Sequence, residues 1–356
     1  MSDAAHKSLL KLTSKFNNGD MKGAFCAAVV LFLAVTAGVA AADLRVVTTV
    51  NVLASIAAEI GGEHVEVASV VPPLADVHSY APTAADKLLV EQADVYVEIG
   101  KLEPFRSQLL GGLNLSDKEI VSWDSYVAEG IYISEDKDPH IWLDVENAVK
   151  VARAIEKAFE RKDPENAEYY RKNLQNFEEK AEDFKKKAAS LVESLEIEGS
   201  RVVLGPSCMR YFVEMLGFEV TDVLVHAEGA LPSAGELAAI EHEIEENNVR
   251  AVICPLQARE GAVGRLSEQV ARDTGIPIVW ATPLLLSDDE SYFEMMSYNL
   301  GAVLAVLSGA PEAGSQSRGG GGGEQTATPA FDAIASLFAL LTPVVKRRRR
   351  HACDRV

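Results

Sequence analysis

The chain has 356 residues, enough for two domains of ordinary size. It is 48% hydrophobic with few aromatics, the composition of an α/β protein that can bury a sizeable core. A formal charge of −19 repels phosphate backbones and argues against nucleic acid as a partner.

Residues 1–42 are expected to be an N-terminal extension and signal peptide. Lys22 is followed by an uncharged run over 25–42 that ends in Ala40-Ala41-Ala42-Asp43, a small-x-small pattern that suits a signal peptidase. An uncleaved anchor helix is the alternative, and Met21 is a second candidate start. The first lobe is expected over 43–163. Its β-branched runs predict strands over 44–50, 65–71, 95–100 and 119–123. Helical spacing over 52–60 stops at Gly61-Gly62, and a second helix is predicted over 83–93. Strands alternating with helices indicate a parallel, doubly wound sheet.

A charged helical stretch follows, and residues 164–196 are read as one rigid connecting helix. Its apolar positions Phe177, Ala181, Phe184 and Ala188 form a narrow stripe on a solvated helix. A coiled-coil arm is the alternative reading of the same stripe. The βα pattern restarts in a second lobe over 197–309. Strands are predicted over 201–204, 219–225, 250–254 and 276–281. Helices are predicted over 211–216, 236–246 (capped by Ser233), 264–274 and 291–307. Residues 310–328 are a Gly/Ser-rich linker, and 329–356 read as a membrane-anchor or sorting tail. That tail has an apolar stretch over 333–345 followed by Lys346 and the arginines at 347–350. The fold class is therefore α/β: two doubly wound lobes with mostly parallel sheets, joined by one long helix, with a ligand cleft between them.

Two histidines sit in matching contexts. His78 lies in Pro72-Pro73-Leu74-Ala75-Asp76-Val77-His78-Ser79-Tyr80, and His140 in Asp138-Pro139-His140-Ile141-Trp142-Leu143-Asp144. Each follows a strand or turn and precedes a helical pattern, which holds an imidazole at an element end facing a cleft. Imidazole nitrogen is the commonest protein ligand for zinc and its neighbours. Cys26 falls in the signal segment and Cys353 beyond the basic cluster, so the lobes keep Cys208 and Cys254. In a strand order 2-1-3-4, Cys208 and Cys254 belong to neighbouring strand ends of the second lobe. The set His78, His140, Cys208 and Cys254 would suit tetrahedral Zn²⁺ and disfavour Mn²⁺, with copper(I) and nickel left open. A Cys208–Cys254 disulfide and two unpaired thiols are the alternatives.

Weaker candidates are His226 after the second strand of lobe two and the acidic loop Asp288-Asp289-Glu290. His64 and His242 read as surface residues, and Trp142 and Tyr80 as packing around the histidines. The chain carries no phosphate loop, nucleophile elbow or HExxH motif, so no enzyme is indicated.

These motifs resemble the cluster A-I metal-binding receptors of zinc or manganese ABC importers. The likeness rests on Val47-Thr48-Thr49, the two histidine motifs, Asp163-Pro164, Tyr169-Tyr170, Asn173, Pro232-Ser233 and Asn299, and spans 44–307. It implies an extracytoplasmic, membrane-anchored receptor at the cell surface. Such a receptor captures a divalent transition metal, zinc first, and delivers it to an ABC permease driven by an ATPase subunit. It also implies small lobe motion around a rigid helix. The family's set is two first-lobe histidines, then a His or Glu, then an Asp. Only His78 and His140 match by position. Pro206 stands at the usual second-lobe His, Pro255 where a Glu often follows the third strand, and Thr282 at the Asp. The departures leave two other readings: a surface adhesion or interaction module, as described for some members, and a receptor for a metal chelate. The tail resembles the archaeal PGF-CTERM sorting signal, with Ala330 in place of its usual Gly and Pro343 interrupting the apolar run.

Overall fold

The structure is a computed structural model that describes residues 44–100, 103–226 and 230–309. The signal segment, the linker and the sorting tail expected from the sequence lie outside those residues.

The first lobe starts with β1 (Leu44–Thr48) and α1 (Asn51–Gly61), then β2 (Val65–Ser69), α2 (Ala84–Gln92) and β3 (Val95–Val97). After α3 (Arg106–Leu110) come β4 (Glu119–Val121), α4 (Trp123–Ala128) and α5 (Val145–Lys162). The sheet order is β2-β1-β3-β4, all parallel. Strand β3 is shorter than the apolar run suggests, and by Gly100 the backbone has turned to φ 96°. Asp144 opens α5 by accepting hydrogen bonds from the amides of Glu146 at 2.7 Å and Asn147 at 3.1 Å, relieving unpaired N–H groups of the first turn.

Helix α6 (Ala167–Ser194) has 28 residues, so it is roughly 42 Å long at the usual helical rise. Its buried stripe is Tyr170, Phe177, Ala181, Phe184, Ala188 and Val192. Gly62, at φ 56°, lets the end of α1 come close to this helix: a Cβ there would lie 2.3 Å from the Tyr169 hydroxyl.

The second lobe comprises β5 (Arg201–Pro206), α7 (Arg210–Met215), β6 (Glu219–Val225) and α8 (Ala234–Glu246). It continues with β7 (Ala251–Pro255), α9 (Ala262–Thr274), β8 (Ile278–Ala281) and α10 (Tyr292–Leu307). Its parallel order β6-β5-β7-β8 repeats that of the first lobe, the 2-1-3-4 arrangement expected from the sequence.

One continuous apolar core joins the lobes. Ile56 of α1, Phe177 and Phe184 of α6, Leu204 of β5 and Leu304 of α10 all belong to it. Two smaller clusters cover the outer faces, one around Tyr96 and Leu109, the other around Val252 and Val270. Polar ties cross the cleft as well. Asn51 exchanges two hydrogen bonds with the Leu285 backbone at 2.9 and 3.2 Å, and the Tyr292 hydroxyl donates to the Trp142 carbonyl at 2.7 Å. A shared core and buried cross-lobe hydrogen bonds resist large opening, because separation would expose both.

Candidate metal centre

The first-lobe loops that carry the candidate donors and their neighbours leave the carboxyl edge of one sheet. The His78 loop follows β2, Glu103 follows β3, and the His140 turn follows β4 and α4. The structure brings His78 and His140 to one small cavity of about 40 Å³. Its walls also include Val50, Glu103, Trp142 and Leu284.

The His140 corner is built from both lobes. Its backbone amide donates to Asp138 Oδ1 at 2.8 Å, and its Nδ1 lies 2.7 Å from the same oxygen. Burial pushes the Asp138 carboxyl up, yet the His140 charge and hydrogen bonds from His140 and Ser207 outweigh it and hold the group down at about 2. An ionised carboxylate only accepts, so Nδ1 is the ring nitrogen that donates to it, which would leave Nε2 as the nitrogen to face a metal. The other carboxylate oxygen accepts from the Ser207 hydroxyl of lobe two at 2.7 Å. The Tyr211 hydroxyl donates to the Asp138 carbonyl at 3.1 Å, and the Trp142 indole N–H to the Pro283 carbonyl at 2.7 Å. Trp142 also meets the His140 ring edge-on, with centroids 5.3 Å apart.

The His78 loop is held more lightly. Its local frame is Asp76, which accepts from the His78 amide at 3.0 Å and from the Ser79 hydroxyl at 2.9 Å. His78 itself is exposed. Leu74 sits at φ 64° and is 62% exposed, an unusual conformation for a large side chain. Tyr80 anchors the far end of the loop, donating to Asp86 at 2.9 Å and packing on Phe105.

Glu103 was not singled out from the sequence, because a lone acid after a strand carries no motif. The residue is buried and lines the histidine cavity. Burial pushes its carboxyl up to about 7, against the Thr49 hydroxyl and the amides of Ile99 and Gly100, which favour the charged form. Only the Gly100 amide closes a hydrogen bond of normal geometry, to Oε2 at 3.3 Å. Oε1 and the Thr49 hydroxyl oxygen are both buried without a hydrogen-bond partner.

The second lobe contributes Leu284 to the cavity. Thr282, at the position where the resemblance implies an Asp, is fully buried and turned to structural use. Its hydroxyl contacts Gln257 Nε2 at 2.7 Å and the Leu284 carbonyl, while Asn299 clamps its backbone at 2.7 and 2.8 Å. The structure does not bring Cys208 and Cys254 to the cavity wall. Both are free thiols, so the disulfide alternative is not formed. Cys208 packs in the shared core next to Met209. Cys254 receives the Ser267 hydroxyl at 3.4 Å, and its sulfur would lie 2.9 Å from a Cβ added at Gly205. Burial raises both thiols, Cys254 to about 11, which keeps them protonated in this packing.

The remaining candidates lie elsewhere. His226 is exposed at the end of β6, and Asp288 and Glu290 border a separate cavity of about 800 Å³ with Lys180 and Phe184. His64 stacks edge-on against Tyr169, and His242 pairs with Glu246 on the surface. Among the described residues, no group of three or more His, Cys, Asp or Glu side chains already stands in a position to hold a metal ion.

Two parallel-sheet lobes locked around a long helix, with a histidine-lined cavity at the strand ends between them, define a two-lobed binding protein. The chain belongs to the ZnuA family, described as zinc-uptake complex component A, periplasmic, whose pattern matches residues 46–305. It is 29% identical over 307 residues to the manganese ABC transporter substrate-binding lipoprotein PsaA of Streptococcus anginosus, covering 78% of this chain and 97% of that one. It is 28% identical over 287 residues to the metal ABC transporter substrate-binding lipoprotein FimA of Streptococcus parasanguinis, covering 76% and 91%. Among solved structures, the laminin-binding protein Lmb of Streptococcus agalactiae shares the fold with a TM-score of 0.63 at 19% identity, over 74% of this chain and 99% of that one. The matched family is one of binding components rather than enzymes.

Proposed function

We propose that the protein is the extracytoplasmic receptor of a metal ABC importer, which captures a divalent transition metal at His78 and His140 and hands it to a permease coupled to an ATPase subunit. The observation that carries this reading is that both imidazoles line one cavity, with His140 already oriented by Asp138. The relatives named as metal and manganese transporter lipoproteins support the same class of cargo.

The metal is zinc or manganese. The case for zinc alone relied on Cys208 and Cys254 as thiolate donors, and their place in the core weakens it. A cavity of about 40 Å³ is small, against roughly 10–15 Å³ needed to hold one water, which favours a bare ion with a few waters over a bulky metal chelate. Anchoring at the cell surface by the tail at 329–356 belongs to the same proposal. That tail lies outside the described residues, among which no helix is long and apolar enough to cross a membrane.

The test is titration of the metal-stripped full-length protein with Zn, Mn, Ni, Co and Cu ions. Binding tighter than micromolar that vanishes in the double variant His78→Ala/His140→Ala supports the receptor. No such binding for any ion contradicts it. An adhesion module would keep its surface interaction in that double variant.

A further inference from the structure

We propose that Glu103 is a third donor to the ion held by His78 and His140, supplying an oxygen that lets this site accept manganese as well as zinc. This rests on the receptor reading above and adds a residue to it.

Three observations converge. Glu103 is only 6% exposed, deep for a carboxylate. Its Oε1 has no hydrogen-bond partner, although Oε2 is held by the Gly100 amide at 3.3 Å. Glu103 lines the same cavity as His78 and His140. A buried carboxylate oxygen without a partner is costly, and a bound ion is one of the ways to satisfy it; Glu156 and Glu160 also carry such oxygens, and what sets Glu103 apart is its place beside the histidines. The topology makes the meeting natural. Strands β2 and β3 flank β1, so the loops that follow them, carrying His78 and Glu103, leave the same sheet edge within one strand of each other.

Two imidazoles and one carboxylate form a mixed nitrogen–oxygen set with positions left for water. Oxygen donors suit manganese, whereas a thiolate set would select against it. The three groups border the cavity without yet standing around one point. Loading therefore requires these groups to converge, and the exposed His78, on its lightly held loop, is the one placed to move.

The experiment compares the full-length protein with Glu103→Gln and His140→Ala, each stripped of metal and titrated separately with MnCl₂ and ZnCl₂. Glu103→Gln is expected to weaken manganese by at least about tenfold, within the range for losing a group that supports a metal site, and to weaken zinc less. His140→Ala is expected to lose both metals. Unchanged manganese affinity in Glu103→Gln overturns the proposal and leaves the receptor reading intact. Equal loss of both metals overturns it too, because that marks a residue that only positions His78. A wild-type protein that binds neither metal overturns both readings. Should Glu103→Gln fail to fold, infrared difference spectra of the wild-type protein on manganese addition serve instead. A shifted carboxylate stretch supports the proposal, and its absence contradicts it.

Discussion

The two histidines occupy corners of opposite character. His140 is fastened to both lobes: Asp138 reaches Ser207, Tyr211 reaches Asp138, and Trp142 reaches Pro283. His78 is exposed on a loop held by Asp76 and bent through Leu74 at φ 64°. On the receptor reading, one donor would be placed before the cargo arrives and the other would be free to come to it. In a molecule whose lobes share a core, this division lets a site close without moving whole domains. The second lobe then acts mainly as a clamp and an apolar wall, through Ser207, Tyr211, Pro283 and Leu284.

The largest test of the contrast is removal of the placed donor. His140→Ala should weaken metal binding by more than about 100-fold, beyond the usual cost of losing a supporting group. Competitive titration with a chromogenic chelator reads this directly, and a loss no larger than that in Asp138→Asn would erase the distinction between donor and support.

Next comes the support itself. Asp138→Asn keeps the shape but removes the anion that fixes the His140 tautomer, and should cost about 10–100-fold in affinity. The equivalent change on the looser corner, Asp76→Asn, should cost less in the same titration. Equal losses would mean that the two corners are prepared alike.

A pH effect should separate the site from the core around it. Burial, then the neighbouring Glu160, push the Glu156 carboxyl on α5 up to about 7. The folded state then holds that proton more tightly than the unfolded chain does. The resulting stability is present at acid pH and is lost as pH rises from the ordinary value of 4.5 through about 7. Denaturant melts of the metal-free protein should show this decline, and Glu156→Gln should reduce it, Glu103 contributing over the same range, while leaving metal affinity alone. A changed affinity would show that the α5 core is coupled to the histidine corners.

The smallest expected effect lies in the His78 loop. Leu74→Asn places a residue tolerant of the left-handed region where the structure has leucine, and should stabilise the protein by about 1 kcal/mol. By the usual scaling for a domain of this size, the melting temperature should rise by roughly 2–4 °C. No rise would mean that the loop relaxes its strain in solution.

The lobes were legible in the sequence because short β-branched runs alternate with helical spacing, which implies parallel doubly wound sheets, and the 2-1-3-4 order comes from that fold class. The narrow stripe Phe177, Ala181, Phe184 and Ala188 likewise marked a connecting helix with one apolar face, and all four are buried. The histidines were legible because each carries a local motif. What was not legible depended on side-chain direction. Cys254 lies on β7 and Cys208 in the turn just past its neighbour β5, but the thiols sit in the core, where Ser267 and Gly205 meet Cys254. Glu103 has no motif at all, and only the burial of its unpartnered oxygen beside the cavity sets it apart.

X-ray absorption at the metal edge of the loaded full-length protein tests the central claim most directly. The account predicts imidazole scattering from two histidines with light oxygen donors and no sulfur. A sulfur shell, or an absence of imidazole scattering, would contradict a site centred on His78 and His140.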